Sequence, residues 1–144
     1  MATGKGIVLY VEDEENDRFL MQFAFEKAGL ETALRTVDHG QAAIDYLSGA
    51  GEYGDRTKYP LPAVVLLDLN LPEVHGFEVL KWIRGEPAHR TLPVVVFTSS
   101  AREEDRRQAE LLGASDFAQK PVMLDRLQAL VQKLAEEWLG GTKA

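Results

Sequence analysis

The sequence predicts an α/β domain in which a five-stranded parallel sheet is covered by helices on both faces. Two observations carry that prediction. Apolar runs of strand length alternate five times with segments whose apolar residues recur at helical spacing, and consecutive βα units build parallel sheets. Several of these runs are apolar at nearly every position, as strands buried on both faces must be. The crossovers are then right-handed, and ligands are expected at the carboxyl ends of the strands.

Each element follows in order. GIVLYV (6–11) reads as a buried strand. Over 16–28, Leu20, Met21, Ala24, Phe25 and Ala28 mark a helix that Gly29 stops. ALRTVD (33–38) alternates, as a strand nearer an edge would, and GQAAIDYLSG (40–49) is a short helix. GAGEYGDRTKYPLP (49–62) is one long loop rich in Gly, Tyr and charge. PAVVLLD (62–68) is the third strand, and HGFEVLKWIRGE (75–86) is a helix with Phe77, Val79, Leu80 and Ile83 inward. PVVVFTSS (93–100) is the fourth strand. The helix after it, 102–112, is nearly all polar, with Ala109, Leu111 and Leu112 as its few apolar anchors. SDFAQKP (115–121) is a short fifth strand, and 122–139 is the closing helix, with a stripe of Leu124, Leu127, Val131, Leu134 and Trp138. The domain is expected to span 5–139, followed by a disordered tail, 140–144.

Composition narrows the function classes. The 144 residues suit one domain with a proper core. Without cysteine there is no disulfide, thiol chemistry or Cys-ligated metal. The amino-terminal apolar run is too short for a signal peptide, and no uncharged apolar stretch approaches the roughly 20 residues of a membrane span. A cytoplasmic protein that does not engage a membrane is therefore expected. The net charge of −7 argues against a nucleic-acid partner, because phosphate backbones are held by Lys and Arg.

The strand ends carry the chemistry. The first strand ends in Glu12-Asp13, the third in Asp68, the fourth in Thr98-Ser99-Ser100 and the fifth in Lys120-Pro121. Taken singly, these are ordinary caps, turns and solvated charges. In an open parallel sheet they all lie along one edge. Three neighbouring carboxylates repel one another, and a divalent cation resolves that repulsion. Hard oxygen ligands without His or Cys point to Mg²⁺, which takes one or two carboxylates and keeps several waters. Glu12 and Asp13 would hold it, one of them through water, with Asp68 a direct ligand and the backbone carbonyl of Asn70 completing the set. Asp68 is then a candidate nucleophile toward phosphorus, with Lys120 and Thr98 facing the phosphoryl group. His39, His75 and His89 have no metal-ligand spacing and read as surface residues.

The motifs VLYVEDEE, VVLLDLNLPEVHGFEVL, VVVFTSS and DFAQKP together resemble the receiver domain of bacterial two-component response regulators, the CheY-like family. The resemblance covers roughly residues 5–139. It implies a flavodoxin-like strand order of 2-1-3-4-5. It makes Asp68 the phosphoacceptor, Glu12 and Asp13 the acidic metal pair, and Asn70 the carbonyl ligand of Mg²⁺. It makes Thr98 the switch hydroxyl, Phe117 the switch aromatic and Lys120 the phosphate-contacting lysine, with a cis Lys120–Pro121 peptide. Two positions depart from the family's usual pattern: His75-Gly76 stands where Asp-Gly is common, and Glu12 where Asp is common. Neither change removes a proposed ligand. The long loop is similar to that of single-domain regulators paired with phytochromes, which implies a sensor histidine kinase of the bacteriophytochrome type as donor.

Three other readings fit the architecture. An Asp-nucleophile phosphohydrolase of the haloacid-dehalogenase kind needs an acid two residues on, where Asn70 stands. A flavodoxin-like nucleotide or flavin binder needs a Ser/Thr/Gly-rich first loop, where Glu12-Asp13-Glu14-Glu15 would repel phosphate. A receiver-shaped scaffold that never takes phosphate would not need the full acid, hydroxyl and lysine set. With five residues after Leu139, the signal is expected to leave through a surface that changes on phosphorylation, centred on the fourth helix. The expected assembly is a homodimer through the face of the fourth helix, fifth strand and fifth helix, on the Phe117-to-Trp138 side. Lys120, as a phosphoryl-side charge, is expected to leave Mg²⁺ affinity nearly untouched when removed.

Overall fold

The computed structural model describes residues 6–100 and 102–140. The expected domain start at residue 5 and the expected tail from 141 lie outside the described residues. Five parallel strands form one sheet in the order β2-β1-β3-β4-β5. They are β1 (Val8–Val11), β2 (Leu34–Val37), β3 (Val64–Leu67), β4 (Val94–Thr98) and β5 (Asp116–Gln119). Each is followed by a helix: α1 (Glu15–Lys27), α2 (Gly40–Ser48), α3 (Gly76–Gly85), α4 (Glu103–Leu111) and α5 (Leu124–Trp138).

The central strands β1, β3 and β4 are buried along their whole length, which is why their sequences are apolar at nearly every position. The edge strands β2 and β5 are partly open. Successive side chains in a strand point to opposite faces, so the runs divide into two cores. Leu9, Val11, Val65, Leu67, Val94 and Val96 pack under α2, α3 and α4. Val8, Tyr10, Val64, Leu66, Val95 and Phe97 pack under α1 and α5.

The register sets the strand ends level. Val11 is opposite Leu67, and Thr98 is opposite Gln119. The residues that follow therefore emerge along one edge. The amides of Glu12, Asp68 and Lys120 each donate to a carbonyl of the neighbouring strand, those of Val37, Val11 and Thr98.

Several expectations change. Leu111 is 76% exposed and is no anchor; the anchor of α4 is Ala109, which is fully buried. One residue is 100° on a helix, so Ala109 and Leu111 cannot share a narrow contact face. Leu124 is also exposed, and the buried stripe of α5 begins at Leu127. Among the described residues no peptide is cis, so Lys120–Pro121 is trans, the isomer an X-Pro bond prefers by about 0.5–1 kcal/mol. The long loop contains a 3-10 turn, Gly51–Gly54. Tyr46, Tyr53 and Tyr59 cluster there, with ring centroids 5.0–5.9 Å apart. Arg56 ties them down by donating to the carbonyls of Tyr46, Leu47 and Tyr59. No described helix is long and apolar enough to cross a membrane.

Candidate phosphoacceptor site

Strand parity decides which side chains meet. Glu12 follows Tyr10, Asp68 follows Leu66 and Lys120 follows Ala118, and all three of those residues belong to the α1/α5 face. Their successors two positions on share that face. Thr98 and Phe117 follow the other parity and belong with α4, on the face of Val96.

The result is a compact ionic cluster. One oxygen each from Glu12, Asp13 and Asp68 lies within 4.8 Å of the others. Lys120 enters it from β5. Its Nζ donates to Glu12 Oε1 at 2.5 Å, to Asp17 Oδ2 at 2.9 Å and to Asp68 Oδ2 at 3.3 Å. Glu12 is completely buried and Asp68 is 3% exposed. Glu12 accepts two further bonds, from the Tyr10 hydroxyl at 3.0 Å and from the Glu14 amide at 3.1 Å.

Burial raises the Glu12 carboxyl above its ordinary value, the Lys120 bond opposes that rise and the charge of Asp68 adds to it. Burial alone would lower the Lys120 ammonium, yet the bonds to Glu12 and Asp17 and the charge of Asp68 hold it well above a free lysine. Burial pushes the Tyr10 hydroxyl far up, and Glu12 beside it pushes the same way. At neutral pH Tyr10 is therefore a fixed neutral donor and Lys120 a fixed cation.

Lys120 thus sits within the acid cluster itself. The sequence expects it on the phosphoryl side of the site; here it also lies against Glu12 and Asp17. Asp17 and Tyr10 are the two participants that sequence reading missed. Asp17 stands with Glu15 in the acidic first turn of α1, and it precedes Leu20, Met21 and Ala24 by three, four and seven residues, so it lies on the inward stripe of α1. Tyr10 is two residues before Glu12 on one strand, which places both on one face.

The loop after Asp68 is held tightly. The Asn70 amide lies 3.4 Å from Asp68 Oδ1. Gly76 packs so closely beneath Asp68 that a Cβ there would collide with the Asp68 carbonyl oxygen and with the Cα of Leu69. His75 caps α3, its Nδ1 accepting from the Phe77 amide at 3.0 Å. Glu73 takes a φ of 65°, uncommon for a residue with a side chain. His39 pairs with Asp38, and His89 contacts the Leu47 carbonyl at 3.0 Å, so no histidine joins the cluster.

Thr98 is fully buried at the end of β4, and its Oγ1 accepts from the Ser100 amide at 3.3 Å. Phe117 is half-buried, and the Arg106 guanidinium of α4 lies 5.1 Å from its ring centroid. Neither Thr98 nor Phe117 bonds to the carboxylates; both follow the parity of the opposite face.

An all-oxygen donor set with no nitrogen or sulfur suits a hard divalent cation, and the three carboxylates are close enough to share one. Comparison with known proteins agrees with this geometry. Residues 8–132 match the response regulator receiver domain family. This chain is a receiver domain. Over 96% of its length it is 38% identical to 86% of the probable methanogenesis regulatory protein FilR2 of Methanothrix harundinacea. It is 35% identical to the response regulator Rcp1 of Synechocystis, covering 92% of this chain and 88% of Rcp1. A crystal structure of the Mn²⁺-bound form of Rcp1 superposes with a TM-score of 0.80 at 33% identity, covering 96% of this receiver domain and 97% of that chain. The phosphorylated cyanobacterial phytochrome response regulator RcpA gives a TM-score of 0.84 at 32% identity, with the same coverage. The receiver fold and the phytochrome-associated relatives both match what the sequence implied.

Proposed function

We propose that this receiver domain is a single-domain response regulator that accepts a phosphoryl group on Asp68 from a phosphohistidine of a sensor histidine kinase. The observation that carries the reading is the meeting of Asp68 with Glu12, Asp13 and Lys120 at one sheet edge. In the transfer, an Asp68 carboxylate oxygen forms a bond to phosphorus as the phosphorus–nitrogen bond breaks. The departing imidazole takes a proton from solvent, leaving an acyl phosphate.

Glu12, Asp13, Asp68 and the Asn70 carbonyl would hold Mg²⁺, one of the paired acids through water. Mg²⁺ supplies charge neutralisation among the carboxylates and on the phosphoryl oxygens. Lys120, already 3.3 Å from Asp68, turns to a phosphoryl oxygen. Thr98 donates its hydroxyl to another, and Phe117 follows into the space Thr98 leaves. The α4–β5 corner then changes shape, a two-state shift driven by differential contacts. The protein assists its own phosphorylation and dephosphorylation and is otherwise no enzyme.

The likeness to Rcp1 and RcpA supports a bacteriophytochrome kinase as donor. The groove between β5 and α5, where Phe117, Leu130 and Trp138 line a cavity of about 160 Å³, supports a homodimer through the α4–β5–α5 face. The net charge of −7 supports a protein without nucleic-acid partners, and the short amino-terminal apolar run supports a cytoplasmic location.

Incubation with Mg²⁺ and acetyl phosphate tests the assignment. Intact mass should rise by one phosphoryl group, and Asp68→Asn should show no rise. Labelling that persists in Asp68→Asn overturns it.

A further inference from the structure

A phenylalanine at position 10 would fill the same core volume, packed on Phe97 at 5.9 Å and 1% exposed. The hydroxyl therefore needs its own explanation, because a buried O–H must find a partner. Its partner is Glu12 Oε1, the same oxygen that Lys120 contacts. Glu12 has no access to water, so in the metal-free protein its charge depends on three donors: Tyr10, Lys120 and the Glu14 amide. When Lys120 turns to a phosphoryl group on Asp68, Glu12 loses one of the three, and beside the Mg²⁺ it would share only Tyr10 and the Glu14 amide still serve it. A buried carboxylate stripped of donors is strongly disfavoured.

We infer that Tyr10 is a positioning residue whose hydroxyl holds Glu12 in place when Lys120 leaves it, so that the lysine is free to serve the phosphoryl group. Tyr10 stays uncharged and is fixed on β1, so its bond does not depend on where Lys120 points. A cavity of about 50 Å³ borders both Tyr10 and Lys120, which gives the lysine stem room to move. The inference rests on Asp68 being the phosphoacceptor.

The test compares wild type with Tyr10→Phe, which keeps the ring and removes one donor. Calorimetry measures Mg²⁺ alone first, then fluoroberyllate, a phosphoryl mimic, at saturating Mg²⁺. Mg²⁺ affinity should change less than about threefold, because Lys120 still serves Glu12. Fluoroberyllate affinity should fall about tenfold or more, the worth of a hydrogen bond to a buried charge. In a Glu12→Gln background, where no charge is stranded, Tyr10→Phe should have no such effect. The inference is overturned by an unchanged fluoroberyllate affinity, by an equal loss in the Glu12→Gln background, or by an equal loss of Mg²⁺ affinity. If wild type takes neither fluoroberyllate nor acetyl phosphate, the phosphoacceptor reading falls, and this inference with it.

Discussion

Helices α3 and α4 cover the same face of the sheet, yet they hold to it differently. α3 buries Gly76, Val79, Leu80 and Ile83, whereas α4 buries Ala109 alone. Their starts differ too. α3 follows the Asp68 loop, where Gly76 lies hard against the Asp68 backbone. α4 follows the Thr98 loop, where Ser100 donates to Asp105 at 2.7 Å and accepts from the Arg102 amide at 3.2 Å. One helix therefore braces the carboxylate that must stay in place. The other is tethered by a few polar contacts at its start and one small apolar residue, the pattern of a region that reorganises at low cost. The contrast leaves one part of this face fixed and another free to yield, as the proposed switch requires.

The largest expected effect is on the braced side. Ile83→Ala should destabilise the protein by about 2–5 kcal/mol in denaturant unfolding, since it empties a fully buried site. A loss under about 1 kcal/mol would remove α3 as the anchor. Gly76→Ala comes next, at about 1–3 kcal/mol, because the new methyl group must displace the Asp68 backbone. It should also depress acetyl-phosphate labelling. Full labelling with native stability would mean that the loop yields easily.

The site itself predicts a pH dependence. Glu12 is raised above its ordinary value of 4.5, chiefly by burial, so the folded state holds its proton more tightly than the unfolded state does. That contribution is complete below the ordinary value and is lost as pH rises through the raised one. Metal-free stability should therefore fall over that interval, and Glu12→Gln should flatten the slope. Lys120, also raised, contributes fully below the ordinary lysine value of 10.5 and loses that contribution only as pH climbs above it. Denaturation midpoints in a chelator across the pH range read both effects. The smallest effect is expected on α4, where Leu111→Ala should change unfolding free energy by no more than about 0.5 kcal/mol, because its side chain is 76% exposed. A larger loss would mean that α4 is anchored after all.

The five units were legible because β1, β3 and β4 are unbroken apolar runs and the helices carry clear stripes. The meeting of Glu12, Asp13, Asp68 and Lys120 was legible because all four sit at strand ends, which a parallel sheet aligns. Period-two spacing also contained the pairing of Tyr10 with Glu12, and helical spacing contained the inward aim of Asp17. Both were hidden by ordinary explanations, a core aromatic and an acidic helix start. Leu111 was misplaced because a two-residue step on a helix turns through 200°, a detail that composition alone does not carry. The isomer at Pro121 was out of reach because the two forms differ by only about 0.5–1 kcal/mol.

On the proposed reading, phosphorylation of Asp68 moves the α4–β5 corner and spares the α3 brace. Hydrogen exchange of the protein with and without acetyl phosphate and Mg²⁺ tests it most directly. Backbone protection should change across residues 98–119 and stay constant across α3, with no change in Asp68→Asn. Equal changes in α3 and α4, or none in the phosphorylated protein, would contradict the claim.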